Sequence, residues 1–252
     1  MSDNQLHSVK DYAGRPEGVL LQGFHWRSLE HGWYRIIKDL SPVIREGGFG
    51  AVWFPPPAVS ADPHGYLPTE WYNADSRYGS REELIDAIRS LHPVEAIADI
   101  VVNHRCGLHD WADFHNPDFA PEGTTDPAQI AEANRKAVVA EDEWKKNGGQ
   151  PAGRPDSGEQ FDGGRDLDHH NPDVQTAVVG WLRWLKEEIG FAGWRWDYAR
   201  GFDPAFVGQY NEATGPSVSI GEYTGSEPRE IADWIEGTGR GGKNGRSSAF
   251  DF

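Results

Sequence analysis

The sequence contains almost no cysteine and no long apolar segment. Its single cysteine, Cys106, excludes an internal disulfide. No stretch approaches the ~20 apolar residues that a membrane-crossing helix requires, and residues 1–14 lack the basic and apolar regions of a signal peptide. We therefore expect no membrane partner and a cytoplasmic location, or secretion if a signal segment was removed from the chain.

Basic residues are scarce as well. The chain has 24 Lys and Arg against 40 Asp and Glu, for a formal net charge of −16 at pH 7. Nucleic acid is excluded as a partner because a polyanion would be repelled. Hydrophobic residues still make up 37% of the 252 residues, which is enough for a globular protein with a core. The 11 tryptophans fit either stacking on sugar rings or filling of that core.

Short apolar runs alternate with segments of helical periodicity along most of the chain. The predicted strands lie at 18–26, 49–58, 95–104, 192–199, 217–224 and 247–252, and the predicted helices at 32–48, 80–92, 171–191, 203–215 and 227–237. This repeat predicts an α/β protein with a parallel sheet, either a closed (β/α)8 TIM barrel or a doubly wound open sheet. No G-x-G-x-x-G follows the first run, which favours the barrel. Because six strands are predicted, we expect a barrel truncated after about six strands.

The alternation is interrupted between residues 105 and 166. This segment is rich in Gly, Pro, Asp and Asn and has one polar helical stretch near 127–145. We interpret it as a small irregular lobe inserted after the third strand, because connections of this length are seldom mere linkers. The predicted organisation is a first part of the barrel at 1–104, the lobe at 105–166, and the continuation of the barrel at 167–252.

Polar side chains end three successive predicted strands. Asn103 and His104 end the third strand, Asp197 the fourth and Glu222 the fifth. In a barrel these strand ends form the catalytic face. Two carboxylates that face one pocket suit glycoside hydrolysis, since one attacks or stabilises the anomeric carbon and the other protonates the leaving oxygen. Glu222 has no basic neighbour in the sequence, so we expect it to hold a proton more easily than Asp197.

The run GWRWDYARG at 193–201 places one carboxylate among aromatic residues. Side chains alternate along a strand, so Arg195 and Asp197 are expected on one face, toward the barrel interior. A cation at Arg195 would keep Asp197 ionised. The other face, toward the surrounding helices, is expected to carry Trp194, Trp196 and Tyr198.

Several further polar residues have two interpretations each. Asn103 offers a carbonyl oxygen to a hard cation such as calcium. His104 could bind a sugar hydroxyl or be a buried structural histidine. Tyr66, which lies between turn residues, could stack on a sugar or pack against its own loop. The acidic segment 162–173, which includes Asp166, has the composition of a calcium loop but also of an acidic turn before a helix.

The motifs LLQGFHW, AVWFPPP, GYLP, ADIVVNHRCG, DLDHHNPDVQ, GWRWDYARGF and GEYT, in this order, resemble the alpha-amylase family of glycoside hydrolases, and within it the plant-like members. The resemblance covers nearly the whole chain as the N-terminal portion of such a protein. It implies a barrel that hydrolyses α-1,4-glucans, such as starch and glycogen, with retention through a covalent glycosyl-enzyme. It also implies that Asp197 is the nucleophile and Glu222 the general acid/base. Arg195 and His104 would hold the sugar and Tyr66 would stack on it.

The resemblance also implies a structural calcium ion between the barrel and the lobe. Asn103, Asp166 and the backbone carbonyl of Gly201 would bind this ion, which would order the active-site loops. Plant-like members carry a further calcium-binding aspartate just before a phenylalanine of the lobe. Gln160 stands there in this sequence, which lowers the expected affinity.

Two other departures from the family pattern bear on activity. The family's third essential carboxylate follows the seventh strand, whereas this sequence ends at Phe252 in what resembles the sixth. Thr224 replaces the usual tryptophan two residues after the acid/base. The sequence therefore leaves three hypotheses open: an α-1,4-glucan hydrolase that is part of a longer enzyme, a catalytically silent fragment that at most binds glucans, and a transglycosylase that uses the same residues.

Overall fold

The computed structural model of the chain describes residues 18–225 and 227–250. The strands in these ranges are β1 (Val19–Gln22), β2 (Phe49–Phe54), β3 (Val59–Ser60), β4 (Pro68–Glu70), β5 (Glu95–Ile100), β6 (His104–Arg105), β7 (Arg165–Asp166), β8 (Gly193–Trp196), β9 (Ser219–Gly221) and β10 (Ser248–Ala249). The helices are α1 (Trp33–Glu46), α2 (Arg81–Leu91), α3 (Pro127–Lys136), α4 (Pro172–Trp184), α5 (Pro204–Thr214) and α6 (Pro228–Thr238). Within the described ranges, no helix combines the length and the apolar character needed to span a membrane.

Six of the strands form one parallel sheet in the order β1-β2-β5-β8-β9-β10. The spatial order follows the chain order, as in a (β/α)8 barrel, whereas a doubly wound sheet reverses its order at a switch point. The sheet is strongly curved. This curvature brings the ring of Trp53 on β2 within 5.5 Å of the ring of Phe250, which follows β10. The predicted barrel architecture is thus confirmed over its six described strands, and the open-sheet alternative is wrong.

The two faces of the sheet bury different side chains. The outer face packs against the helices through large apolar residues, among them Phe54, Trp194 and Trp196. The indole nitrogens of Trp194 and Trp196 each donate a hydrogen bond at 3.0 Å, to Thr214 Oγ1 and Ser219 Oγ. On the inner face a separate, smaller cluster is formed by Leu20, Ala51, Trp53, Ile97 and Val218. This cluster fills the lower part of the barrel and leaves its upper end to polar side chains.

Local sequence signals fix the helix ends close to their predicted positions. Ser80 accepts a hydrogen bond from the backbone N–H of Glu83, and the Glu83 side chain accepts one from Ser80, which completes the predicted capping box. Asn171 and Asp203 cap α4 and α5, each before a proline at the first helical position. After α4 the chain continues through a π-helical turn, Leu185–Ile189.

The strands end earlier than their sequences predict. β5 ends at Ile100 and β8 at Trp196, so the predicted strand continuations to residues 104 and 199 are wrong. Asn103 and His104 therefore do not follow the alternation of β5. Tyr198 does not continue the outward row of tryptophans either, because its φ of 44° turns the chain into a loop. The predicted sixth strand lies partly outside the described residues, at positions 251 and 252.

The segment between β5 and α4 contains little sheet. Its two ends meet in an antiparallel pair, in which His104 on β6 faces Asp166 on β7. The predicted polar helix near 127–145 is confirmed for its first part as α3. Arg105 is fully buried and donates hydrogen bonds to the carbonyls of Thr69, His115 and Pro117, so it connects β4 with two positions of the segment. Its boundaries as a separate lobe remain a prediction.

Replacement of Ser80 by alanine is expected to destabilise the protein by about 1 kcal/mol, because the N–H of Glu83 loses its acceptor at the start of α2. The free energy of unfolding in urea measures this loss. Ser80→Asp is the matched control, since aspartate is an equally good cap and should stay close to the wild type. Equal losses in both variants would contradict a capping role.

Candidate active site

A cavity of about 370 Å³ opens at the carboxyl ends of the parallel strands. Its lining residues are Trp26, Asp62, His64, Tyr66, His104, Phe161, Arg195, Asp197, Tyr198 and Glu222. All five residues predicted to catalyse or to bind substrate line this one cavity. Trp26, Phe161 and Tyr198 form much of the remaining wall, so the cavity has four aromatic residues when Tyr66 is included.

The register of the sheet positions the charged side chains at the base of the cavity. Asp99 on β5 pairs directly with Arg195 on β8. Asp197 extends the ladder by donating its N–H to the carbonyl of Ile100 at 3.0 Å. Glu222 does the same with the carbonyl of Trp196 at 2.9 Å. Backbone hydrogen bonds thus hold the three carboxylates on adjacent strand ends, around one arginine.

Arg195 binds all three carboxylates at once. Its Nη1 donates to Asp99 Oδ1 at 2.6 Å and to Asp197 Oδ1 at 2.7 Å. Its Nη2 lies 2.9 Å from Glu222 Oε2. Glu222 has no basic neighbour in the sequence, but the adjacent strand brings Arg195 to it in space. The Arg195 Cζ also lies 4.7 Å from the centroid of the Trp53 ring, in cation–π geometry.

These contacts affect the protonation of every group. Burial opposes the charge of Arg195, but the three carboxylates outweigh it and raise the pKa of Arg195. Burial raises the pKa of both Asp197 and Glu222, and Arg195 partly opposes this rise. Their mutual hydrogen bond lowers the pKa of Asp197 and raises the pKa of Glu222. This contribution favours the proton on Glu222 over Asp197, in the direction expected from the sequence.

Asp99 is the main site residue that the sequence interpretation missed. It is fully buried and accepts hydrogen bonds from Trp53 Nε1 at 3.1 Å and from Tyr66 Oη at 3.0 Å, besides the bond from Arg195. Burial raises the pKa of Asp99 to about 7. The signal was present in the sequence as an aspartate within the apolar run that follows Glu95.

Tyr66 and His104 lie side by side at one wall of the cavity. The Nε2 of His104 is 2.8 Å from the carbonyl of Tyr66, and its Nδ1 is 3.3 Å from Asn103 Nδ2. Burial lowers the pKa of His104 to about 4, so the imidazole is neutral and donates through Nε2. Phe161, which the sequence interpretation did not assign to substrate, stacks on this imidazole with ring centroids 3.9 Å apart.

Trp26 is a second aromatic residue that the interpretation missed. Its side chain is 63% exposed, and its ring lies 6.0 Å from that of Tyr66 and 4.5 Å from that of His64. The predicted strand 18–26 included Trp26, but β1 ends at Gln22 and Trp26 lies in the loop after it. An exposed indole beside the cavity provides a flat face for a saccharide.

The three predicted calcium-binding residues also meet in the structure. Asn103 Nδ2 donates to Asp166 Oδ1 at 3.0 Å. A Cβ on Gly201 would lie 2.0 Å from Asn103 Oδ1, so only glycine allows this backbone to pass so close to the amide. Burial and the nearby charges of Asp156 and Asp142 raise the pKa of Asp166 to about 8.

The donor set at this position suits a hard cation, which prefers carboxylate, amide and backbone oxygens. Asp156 adds a buried Oδ2 that has no hydrogen-bond partner among the described residues. The Gln160 side chain donates instead to the carbonyl of Glu141 at 2.7 Å. In residues 18–225 and 227–250 no group of three or more His, Cys, Asp or Glu side chains is arranged to bind a metal, so amide and carbonyl oxygens would have to contribute.

Comparison with known proteins gives one consistent result. Residues 33–236 match the model of the alpha-amylase catalytic domain. The chain is 33% identical to the chloroplastic alpha-amylase 3 of Arabidopsis thaliana over 96% of its own length and 28% of that protein. It is 34% identical to the probable alpha-amylase 2 of the same plant over 93% of its own length and 56% of that protein. The chain therefore spans between 28% and 56% of the length of these relatives.

Solved structures of bacterial alpha-amylases share the fold. An Anoxybacillus alpha-amylase superposes with a TM-score of 0.61 at 22% identity, over 87% of this chain and 44% of that one. The alpha-amylase of Geobacillus thermoleovorans, solved in complex with acarbose, superposes with a TM-score of 0.58 at 22% identity, over 81% of this chain and 43% of that one. At these identities the likeness extends to the fold alone.

The buried Asp99 is expected to make stability depend on pH. Its pKa is about 7 in the folded protein against about 3.9 in an unfolded chain, so the native state binds the extra proton between these values. The stabilisation is complete below pH 4 and is lost as the pH rises toward 7. The unfolding free energy of the wild type minus that of Asp99→Asn should therefore fall across this interval, as measured by urea titrations at several pH values.

Asp86→Asn is the control for this prediction. Asp86 lies on α2, where a hydrogen bond from Lys38 lowers its pKa. The stabilisation by Asp86 depends on pH in the opposite direction to that by Asp99, because it is present above the unfolded pKa of the carboxyl group and is lost on acidification. A wild-type minus Asp99→Asn difference that stays constant between pH 4 and pH 7 would contradict the assignment.

Proposed function

Because the chain belongs to the alpha-amylase family, we propose that it hydrolyses internal α-1,4-glucosidic bonds of starch- or glycogen-type glucans with retention of configuration. The observation that carries this proposal is the pair Asp197 and Glu222, whose carboxyl groups contact Nη1 and Nη2 of the same guanidinium, that of Arg195, at 2.7 and 2.9 Å. Inverting glycosidases keep their carboxyl groups roughly 6.5–9.5 Å apart to admit a water between them. Retaining glycosidases hold the two groups only roughly 5–5.5 Å apart. Two carboxyl groups bound to the two terminal nitrogens of one guanidinium fit this shorter separation, which supports a covalent intermediate.

The two carboxyl groups would act in sequence. Asp197 attacks the anomeric carbon while Glu222 donates its proton to the leaving glycosidic oxygen, which breaks the C–O bond and forms a glycosyl ester. Glu222, now a carboxylate, then takes a proton from water as this water attacks the anomeric carbon and releases Asp197. Arg195 favours the anionic form of Asp197 during the first step, because its Nη1 donates directly to Oδ1.

The aromatic wall supports a saccharide as the substrate. Tyr66 is fixed by its hydroxyl bond to Asp99 and leaves its ring beside the cavity. Exposed aromatic faces pack well on the apolar faces of sugar rings, and Trp26 extends this surface beyond the cavity. The acarbose complex of the Geobacillus thermoleovorans enzyme is consistent with a saccharide ligand in this fold.

We also propose a structural calcium ion held by Asn103, Asp166 and the backbone carbonyl of Gly201. The argument rests on the convergence of these three residues and on the unpartnered oxygen of Asp156. When bound, the ion would neutralise negative charge and crosslink β7 to the loop after β8. It would take no part in bond cleavage.

Asp197→Asn and Glu222→Gln are each expected to lower kcat on soluble starch by about 10²–10⁴-fold or more, because each removes one of the two groups that the chemistry needs. Release of reducing ends measures the rate. With α-glucosyl fluoride as substrate, the kcat of Glu222→Gln should fall far less, since fluoride leaves without a proton. The kcat of Asp197→Asn should fall as much as on starch, since the nucleophile is still missing.

Asp203→Asn is the matched control for both variants. Asp203 caps α5 through its Oδ1, and asparagine provides the same oxygen. This variant should keep the rate of the wild type. Near-normal turnover by Asp197→Asn would show that the nucleophile is another residue.

Removal of calcium with a chelator is expected to lower the melting temperature, because a ligand that binds only the native state stabilises it by about 2.7 kcal/mol at 100 times its Kd. Asp166→Asn should abolish the difference between calcium and chelator. Asp173→Asn, which changes an acidic residue at the start of α4, should preserve it. Identical melting curves of the wild type in calcium and in chelator would contradict this site.

A further inference from the structure

The lobe segment 157–161 is fastened to the loop that follows β8. The N–H of Glu159 donates to the carbonyl of Arg200 at 3.0 Å. The hydroxyl of Tyr198 donates to the carbonyl of Gln160 at 3.2 Å. The N–H of Asp203 donates to Ser157 Oγ at 3.1 Å. These three hydrogen bonds keep this part of the lobe beside the loop that follows β8.

One guanidinium extends this contact to the strand of the acid/base. Arg200 Nη2 lies 2.5 Å from Glu159 Oε2, and Arg200 Nη1 donates to the carbonyl of Thr224 at 2.8 Å. Thr224 lies two residues after Glu222. Arg200 thus links the lobe, the loop that carries Asp197 and the loop that carries Glu222. Thr224, which stands where the family usually has tryptophan, is thus the residue whose carbonyl accepts this hydrogen bond.

The segment held in this way ends in a residue of the cavity wall. Phe161 stacks on His104 with an angle of 11° between the rings, and its edge meets the ring of Tyr198 at 5.3 Å. Its N–H donates to Asp166 Oδ2 at 2.9 Å. The position of Phe161 therefore depends on the segment 157–161 on one side and on the proposed calcium-binding residue on the other.

We propose that Arg200 and Glu159 are positioning residues that hold Phe161 over His104 and so determine how tightly the cavity binds the glucan. The proposal rests on the proposed function for its substrate. The Arg200 and Glu159 side chains are 37% and 50% exposed, and ion pairs with such exposure contribute little to global stability. Loss of the pair should therefore change the local position of Phe161 and leave the melting temperature nearly unchanged.

Cys106 provides a reporter that needs no enzymatic activity. It is the single cysteine of the chain, and its Sγ lies 3.8 Å from the carbonyl of Gly163, two residues after Phe161. Release of the segment should expose this thiol. At constant pH, Glu159→Ala and Arg200→Gln should each raise the rate of Cys106 alkylation by iodoacetamide up to about fivefold, which corresponds to about 1 kcal/mol.

A double-mutant cycle then tests whether the two residues act as one pair. Glu159→Ala should have no further effect in the Arg200→Gln background. On maltooligosaccharides each variant should raise KM by a similar factor and leave kcat within about twofold, because Asp197 and Glu222 are untouched. In a Phe161→Ala background, Glu159→Ala should not change KM further. A general loss of structure would lower kcat as well and would not show this pattern.

The ion pair of Lys38 and Asp86, which joins α1 to α2 at 2.8 Å, is the matched control. Asp86→Ala should change neither the alkylation rate nor KM. An unchanged alkylation rate in Glu159→Ala, or fully additive effects in the cycle, would overturn the proposal. If the wild type does not hydrolyse glucans, the proposed function fails, and the alkylation rates alone still decide whether the pair positions the segment.

Discussion

The guanidinium of Arg195 lies at the base of the cavity, and the arrangement of the site depends on its contacts with three carboxyl groups at once. Its side chain is only 4% exposed, and burial of an isolated charge is costly. Three carboxylates compensate it, and each of them would in turn be costly without the cation. Removal of one partner from such a buried pair typically costs roughly 3–5 kcal/mol, so the group is stable only as a unit. The parallel register of β5, β8 and β9 brings this unit together.

The same unit places its carboxyl groups in different environments. Asp99 is fully buried and accepts two further hydrogen bonds, from the Tyr66 hydroxyl and the Trp53 indole nitrogen. Asp197 is 10% exposed and faces the cavity, and Glu222 is 32% exposed at its edge. One cation shared by three carboxyl groups of graded exposure is the basis for the proposed division into a structural group at Asp99, a nucleophile at Asp197 and a proton donor at Glu222. Environments that divide the pKa values of neighbouring acids are the general means by which one site performs acid and base chemistry.

Local patterns in the sequence were sufficient for the helices and for part of the site. The capping box at Ser80 and the period-two spacing of Arg195 and Asp197 depend only on near neighbours, and the structure agrees with both. The contact between Asp99 and Arg195 spans 96 residues and has no local signature. The stacking of Phe161 on His104 depends in the same way on the path of the lobe. Tyr198 was misplaced because a positive φ in a non-glycine residue is rare, and strand alternation gives no indication of it.

That unusual backbone explains how the lobe and the catalytic groups share one short loop. A left-handed residue other than glycine costs of order 1–3 kcal/mol and persists only where surrounding contacts enforce it. At Tyr198 the turn directs the N–H toward Glu222 Oε2 at 3.2 Å and the hydroxyl toward the carbonyl of Gln160. The next residues along the chain bring Gly201 against Asn103, at the proposed calcium site. The loop of Tyr198 thus joins the proposed calcium site to Glu222 within four residues, and an ion bound there would hold this loop in place without taking part in bond cleavage.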